Sequence, residues 1–237
     1  MKRSRINQLL REAEAVFTGM GWRLPPFAYW SLAEWRQKDA GSREIVDNQL
    51  GWDVTDFGSG DFEREGLLLF TLRNGNLKLP GYPKPYAEKY MLVQPQQVTP
   101  FHFHWHKMED IINRGGGRLV IEIYQASREE ERTDEPVRVH IDGTVTTVGA
   151  GTRIILEPGQ SITLLPYQYH SFWAEGGAVL AGEVSQVNDD NSDNRFLLPQ
   201  QRFSQIEEDE EPVWLLCSDY GTWLAGCPIC ADGGSST

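Results

Sequence analysis

The stretch Thr99-Pro-Phe-His-Phe-His-Trp-His-Lys-Met-Glu-Asp-Ile-Ile-Asn-Arg-Gly-Gly-Gly117 decides how this chain is read. Alternate residues of a strand share a face, so His102 and His104 point the same way. Neutral imidazoles are common ligands for borderline divalent metals, and two on one strand face can chelate a single ion. Glu109, beyond a short turn, adds a carboxylate oxygen. The glycines that follow let the chain bend sharply into the next apolar run, RLVIEIYQ. Further on, Leu165-Pro-Tyr-Gln-Tyr-His170 ends another apolar run with a histidine. A lone histidine in a strand is usually a hydrogen-bonded core or surface residue, which is the reading for His140. That reading fails for the group: three of the five histidines fall within residues 102–106, with a glutamate at suitable spacing. His102, His104, Glu109 and His170 are therefore expected to hold one divalent metal ion per chain. His106 shares their parity, but the turn towards Glu109 should swing it out. Phe103 and Trp105 alternate to the opposite face as packing residues.

Outward from this centre, residues 66–187 consist of short apolar runs broken by Gly, Pro, Asn and Asp. LLLFTLRNG, KYMLVQP, RLVIEIYQAS, VRVHIDGTVTTV, TRIILEP, QSITLLP and AVLAGEVSQV read as seven or more strands. Asp142-Gly143 is a type I′ hairpin signal. Strands at this density without intervening helical patterns indicate an antiparallel sandwich or barrel. Upstream, Ile6, Leu9, Leu10, Ala13, Val16 and Phe17 recur at helical spacing, predicting an amphipathic helix over 5–17. A second helix is predicted near Tyr29–Lys38, with Trp30 and Ala33 packing inwards. Residues 47–64 are rich in turn formers and read as irregular, and Glu207–Glu211 as a solvated acidic loop. The expected organisation is an N-terminal helical and irregular extension over 1–65, a mainly β barrel over 66–222, and a C-terminal tail over 223–237.

Of the 237 residues, 40% are hydrophobic, which is ordinary for a protein with a real core. The formal net charge of −12 argues against nucleic acid, since no basic face is visible. No stretch approaches the roughly 18 consecutive apolar residues of a membrane span. Glu12 and Glu14 interrupt any signal-peptide core, so a cytoplasmic protein is expected. Cys227-Pro-Ile-Cys230 has the spacing of half a zinc site, but a second ligand pair is missing, and it is read as a tail-associated pair.

His-x-His-x4-Glu-x6-Gly (His102, His104, Glu109, Gly116), followed by Pro-x-x-x-His (Pro166, His170), resembles the two motifs of the cupin superfamily. The second motif lacks the usual glycine between its proline and histidine; Tyr167, Gln168 and Tyr169 stand there. HFHWHKMEDIINRGGG together with GEVSQVNDDNSDNRF (182–196) is similar, more specifically, to the bacterial D-lyxose ketol-isomerases. The resemblance runs from the N-terminal helix to about Tyr220. It implies a cupin (jelly-roll) barrel, a homodimer and a divalent metal, usually manganese, with His102, His104, Glu109 and His170 as ligands. It further implies interconversion of D-lyxose with D-xylulose, and often of D-mannose with D-fructose.

Such an isomerase moves a proton between C1 and C2 of a small neutral sugar. Three imidazoles and one carboxylate also suit zinc, cobalt, nickel or iron. The single compact ligand set favours proton transfer through a cis-enediol over a two-metal hydride shift. Lys107, between His104 and Glu109, is expected as an acid/base with a lowered pKa or as a donor to a substrate hydroxyl. Glu183 interrupts the apolar strand AVLAGEVSQV, where a buried carboxylate is costly unless paired or functional, and is the better base. A salt bridge of Glu183 with Arg195 or Arg114 is the structural alternative. Asp190, Asp193 and Arg195 form a polar loop suited to hydroxyl recognition. The rival activities are a cupin phosphosugar isomerase, which should carry a phosphate-binding cluster, and a metal-dependent cupin oxygenase.

Overall fold

The computed structural model describes residues 1–230. The chain begins with α1 (Arg3–Gly19), a 3₁₀ turn over Pro26–Tyr29, α2 (Leu32–Trp35) and α3 (Arg43–Asp47). Eleven strands follow, β1 (Gly51–Thr55), β2 (Leu67–Arg73), β3 (Tyr86–Val93), β4 (Thr99–Phe103), β5 (Glu109–Gln125), β6 (Val137–Ile141), β7 (Thr144–Val148), β8 (Thr152–Leu156), β9 (Ser161–Leu164), β10 (Gln168–Gln186) and β11 (Arg195–Phe196). A short α4 (Tyr220–Trp223) closes the described chain. All strand pairings are antiparallel.

Two long strands organise the rest. β10 pairs with β5 along most of its length, with β4 at its start and with β3 at its end. The β5–β10 pairing shifts register twice, by two residues on β10 between Glu175 and Val179 and by one on β5 opposite Leu180/Ala181, for a net slip of one: His170 stands opposite Ile123 and Glu183 opposite Ile111, thirteen steps on β10 against twelve on β5. Because side chains alternate, a one-residue slip reverses which parity of β10 faces inward. Phe172 and Ala174 line the core before the slip, and Val179 and Ala181 after it. The slip occurs where Gly115–Gly117 crosses Gly176-Gly177. Gly116 takes φ +97°, and a Cβ there would lie 2.1 Å from the Ala178 carbonyl oxygen. Only glycine permits that approach.

The inner faces enclose one apolar core that includes Leu69, Met91, Ile111, Val139, Ile162 and Phe172. The alternate residues Leu68, Phe70, Tyr90 and Leu92 face the other way, against Ile6, Leu10 and Phe17 of α1. A strand buried on both faces reads as a continuous apolar run, which is why LLLF does not alternate. The hairpin at Asp142-Gly143 forms as its sequence predicts, with φ of 48° and 78°. Residues 47–64, expected to be irregular, instead supply β1, whose five residues are all buried and pair with β2. Its polar residues masked the pattern. The helix expected near Tyr29–Lys38 shrinks to the single capped turn of α2, where Trp35 is buried and Ala33 exposed.

The acidic run 207–211 is exposed but tied to α1. Arg3, fully buried, reaches Asp219 (2.7 and 2.9 Å) and Glu208 (2.7 and 2.8 Å). Ser4 donates to Asp209, and Asn7 to Glu210 and to the Glu211 carbonyl. Cys227 and Cys230 pack against the apolar cluster around Trp35 and Leu224, and all three cysteines are free thiols. The last seven residues, expected to be a frayed end, lie outside the described residues. Among the described residues no helix is long and apolar enough to cross a membrane. Replacing Arg3 by Ala strands the buried Asp219 carboxylate; denaturant unfolding should show a loss of about 3 kcal/mol.

Candidate active site

His102 lies on β4, His104 just after it, and His170 on β10 directly opposite His102. All three are buried, and one ring nitrogen of each lies within 4.8 Å of the others. The Nδ1 atoms are committed elsewhere. Nδ1 of His102 lies 2.8 Å from the Pro100 carbonyl oxygen, that of His104 2.6 Å from the Asp193 carbonyl oxygen, and that of His170 3.0 Å from the Gln168 carbonyl oxygen. A carbonyl can only accept, so each Nδ1 carries the hydrogen and each Nε2 of a neutral ring keeps its lone pair. Burial, reinforced by His170 and His104, pushes the His102 imidazole well below its usual pKa and keeps it neutral. Nε2 of His170 is buried without a hydrogen-bond partner. Three lone pairs aimed at one point, one of them orphaned, fit a metal ion.

Glu109 stands at the start of β5, with Oε1 3.4 Å from Nε2 of His104 and 3.3 Å from Nε2 of His170. Two ligands each about 2.1 Å from one ion stand roughly 3.0–3.4 Å apart, so these spacings suit a shared ion. Burial opposes ionisation of Glu109, but Lys107 and His104 outweigh it and hold the carboxyl well below the usual range.

From Glu109 a chain of alternating charges crosses the cavity. Lys107 Nζ lies 2.6 Å from Glu109 Oε2 and 3.0 Å from Glu183 Oε1. Glu183 Oε1 is 3.3 Å from Lys89 Nζ, its cross-strand neighbour on β3. Lys89 is 3.8 Å from Asp190 Oδ2, which in turn is 2.8 Å from Arg202 Nη2. Arg202 Nη2 also meets Asp53 Oδ2 at 2.7 Å. All of these except Asp53 line one cavity of about 450 Å³, its open mouth included, together with the three histidines. The sequence predicts a lowered pKa for Lys107, and the structure reverses it. Burial does act downward, but Glu109 and Glu183 outweigh it and raise the pKa, so the side chain stays an ammonium. Burial of Glu183 is likewise outweighed, by Lys107 and then Lys89, so its carboxyl is lowered and ionised.

Glu183 therefore has ionic partners, but they are Lys107 and Lys89 rather than Arg195 or Arg114. Arg114 lies over Gly182, on the opposite face of β10. Arg195 turns to Glu130, 2.7 Å away, and does not line the cavity. Asp193 does not line it either. Its carboxylate accepts from the main-chain N–H groups of Trp105, His106 and Lys107 at 2.8, 3.1 and 2.9 Å, and its carbonyl orients His104. It is too short and too fully bonded to reach a sugar. Of the predicted loop residues, only Asp190 reaches the cavity wall. His106 is exposed, Phe103 is fully buried in a separate aromatic cluster, and Trp105 donates to Glu130. Where the second motif lacks glycine, Tyr167 takes φ +62° and stacks on Phe103 at 4.9 Å. Lys89, Asp53 and Arg202 were missed. A lysine opening KYMLVQP and an aspartate beside Trp52 were the available signals.

Comparison with known proteins fits this geometry. The family model described as D-lyxose isomerase matches residues 1–220. The chain belongs to the D-lyxose isomerase family. It is thus a sugar isomerase of the aldose–ketose type. A D-lyxose/D-mannose isomerase of Serratia proteamaculans is 53% identical over 228 residues, covering 95% of this chain and all of that protein. One of Escherichia coli O157:H7 is 51% identical over 223 residues, covering 93% of this chain and 98% of that protein. Among solved structures, the L-ribose isomerase of Cellulomonas parahominis with L-psicose superposes with a TM-score of 0.58 at 16% identity. That match covers 87% of this chain and 98% of the other, and establishes a shared fold.

The bonds to Asp193 carry a test. Asp193→Ala frees the 105–107 turn and the His104 ring, and should weaken divalent-metal retention by about 10- to 100-fold in a chelator competition.

Proposed function

We propose that this isomerase interconverts D-lyxose with D-xylulose and D-mannose with D-fructose, by proton transfer between C1 and C2 through a cis-enediol. The observation that carries the reading is the buried carboxylate of Glu183, 3.0 Å from Lys107 and 3.3 Å from Lys89, which shares one cavity with the convergent histidine nitrogens. The names of relatives at 51–53% identity support the substrate assignment.

His102, His104, Glu109 and His170 are proposed to hold one divalent ion, manganese by family resemblance, although the donor set suits zinc, cobalt, nickel or iron as well. When bound, the ion supplies Lewis-acid polarisation of the sugar carbonyl and stabilises negative charge on O1 and O2. The chain's own residues do the rest. Glu183 takes the C2 proton of the aldose and returns it to C1, while the hydroxyl proton of O2 passes to O1. Lys107, an ammonium between Glu109 and Glu183, donates to a sugar oxygen and favours the enediolate over the neutral sugar. Lys89 keeps Glu183 ionised between turnovers and holds its carboxylate in one orientation. Asp190 accepts from a sugar hydroxyl at the cavity wall.

Charge pairing separates this reading from a phosphosugar isomerase. Lys89, Lys107 and Arg202 each already meet carboxylates, which suits a neutral polyol rather than a phosphate. The proposal includes a homodimer, resting on family resemblance, and the cytoplasmic location expected from the sequence.

The test is ketose formation from D-lyxose and D-mannose by metal-stripped protein, restored with manganese or zinc in turn. Activity should vanish on stripping, return with metal, and persist without oxygen; a requirement for oxygen would favour an oxygenase. Glu183→Gln should lower kcat by about 10²- to 10⁴-fold while metal content is unchanged. Full activity in that variant would remove Glu183 from the mechanism.

A further inference from the structure

Glu130 occupies a backbone position that its residue type disfavours. Residues 127–131 form a tight turn between β5 and β6, in which Ser127 N–H donates to the Glu131 carbonyl (2.8 Å) and Glu130 N–H to the Ser127 carbonyl (3.1 Å). Glu130 takes φ +67° there, the left-handed conformation that glycine adopts freely and a glutamate only with strain. The turn itself needs no carboxylate, so the reason for one lies in what the side chain touches. Oε1 accepts from Trp105 Nε1 and Oε2 from Arg195 Nε, each at 2.7 Å, and the main-chain carbonyl accepts from the Tyr169 hydroxyl at 2.7 Å. Trp105 follows His104 in the chain, and Tyr169 precedes His170. Arg195 belongs to β11, which pairs with Phe103 and His102. Three separate ties from one residue therefore end beside the three histidines.

We propose that Glu130 is a positioning residue for the metal centre, fixing the segments that carry His102, His104 and His170 from the side away from the cavity. The inference rests on the ligand set proposed above. Trp105 and Tyr169 lie in the aromatic cluster around Phe103, whereas the three histidines line the cavity, so Glu130 touches none of the ligands and acts through their neighbours. Successive side chains point to opposite faces of a strand, and pinning one therefore sets the direction of the next. The Glu130–Arg195 pair is about a third exposed on both sides, so solvent screens most of its coulombic value. Its worth is geometric. Donor atoms hold an ion well only when kept within about 0.5 Å of the productive arrangement, and their supporting contacts do that. Arg195, expected to recognise sugar hydroxyls, here serves that support.

The test measures manganese and zinc binding by chelator competition on wild type, Glu130→Gly, Trp105→Phe and the double variant, with thermal unfolding of each metal-free protein. Glycine removes the carboxylate and relieves the strained backbone, while keeping the carbonyl that Tyr169 uses. Glu130→Gly should weaken metal binding about 10-fold, yet the metal-free protein should unfold within about 4 °C of wild type. Trp105→Phe deletes the indole N–H but keeps an aromatic ring, and should weaken binding about threefold. The double variant should lose less than the product of the two, because both substitutions cut the same bond. Wild-type affinity in Glu130→Gly overturns the inference. If that variant does not fold, wild-type affinity in Trp105→Phe does so instead. Losses that multiply in full, or that follow an equal fall in metal-free stability, also overturn it, being the pattern of a turn that only supports the fold. A wild type that binds neither metal would overturn the ligand assignment and this inference together.

Discussion

Everything in the site depends on the pairing of β10 with β5 and its one-residue slip. Side chains of a strand alternate, so His170 and Glu183, thirteen residues apart, would face opposite sides of an unbroken β10. The net slip reverses the parity between them, and both enter the same cavity. Gly116 makes the slip possible, because the Ala178 carbonyl occupies the space where any other residue would carry a Cβ. The glycine that marks the first motif is thus the residue that lets Glu183 and the third histidine meet.

A second constraint is electrostatic. The cavity buries Lys89, Lys107, Glu109 and Glu183, each of which is costly to take out of water alone. The structure resolves this by alternating their signs, so that every charge has an opposite neighbour within a few ångströms. The consequence for chemistry is direct. Lys107 stays an ammonium and Glu183 a carboxylate, so the charge state of both is set by pairing rather than by solvent. A cavity arranged in this way offers donors and acceptors in turn, as the successive hydroxyls of a sugar require.

Much of this was legible in residue order. The histidine pair of β4, Glu109 and the glycine run are local, and strand alternation fixes their relation without any fold. The strands β2 to β10, the type I′ turn and the amphipathic α1 follow from periodicity and turn chemistry. β1 was not legible, because Asp53 and Thr55 broke its apolar pattern, although both are buried and Asp53 is paired with the distant Arg202. Nor was the end of the polar loop. Asp190, Asp193 and Arg195 look alike in sequence, yet one lines the cavity, one ties down the turn below His104, and one turns to Glu130.

The sequence by itself determined the β-rich barrel, the histidines of the proposed ligand quartet and the resemblance that names the family, because these rest on short spacings and local propensity. Tertiary structure alone decided which charges meet. Lys89 with Glu183, Asp190 with Arg202 and Asp53 with Arg202 are pairs between segments distant in the chain, and they depend on strand order and on the slip in β10. The protonation of Lys107 belongs to the same class. Its neighbours in sequence point to a metal that would lower its pKa, whereas its neighbour across the cavity, Glu183, joins Glu109 in holding its proton in place.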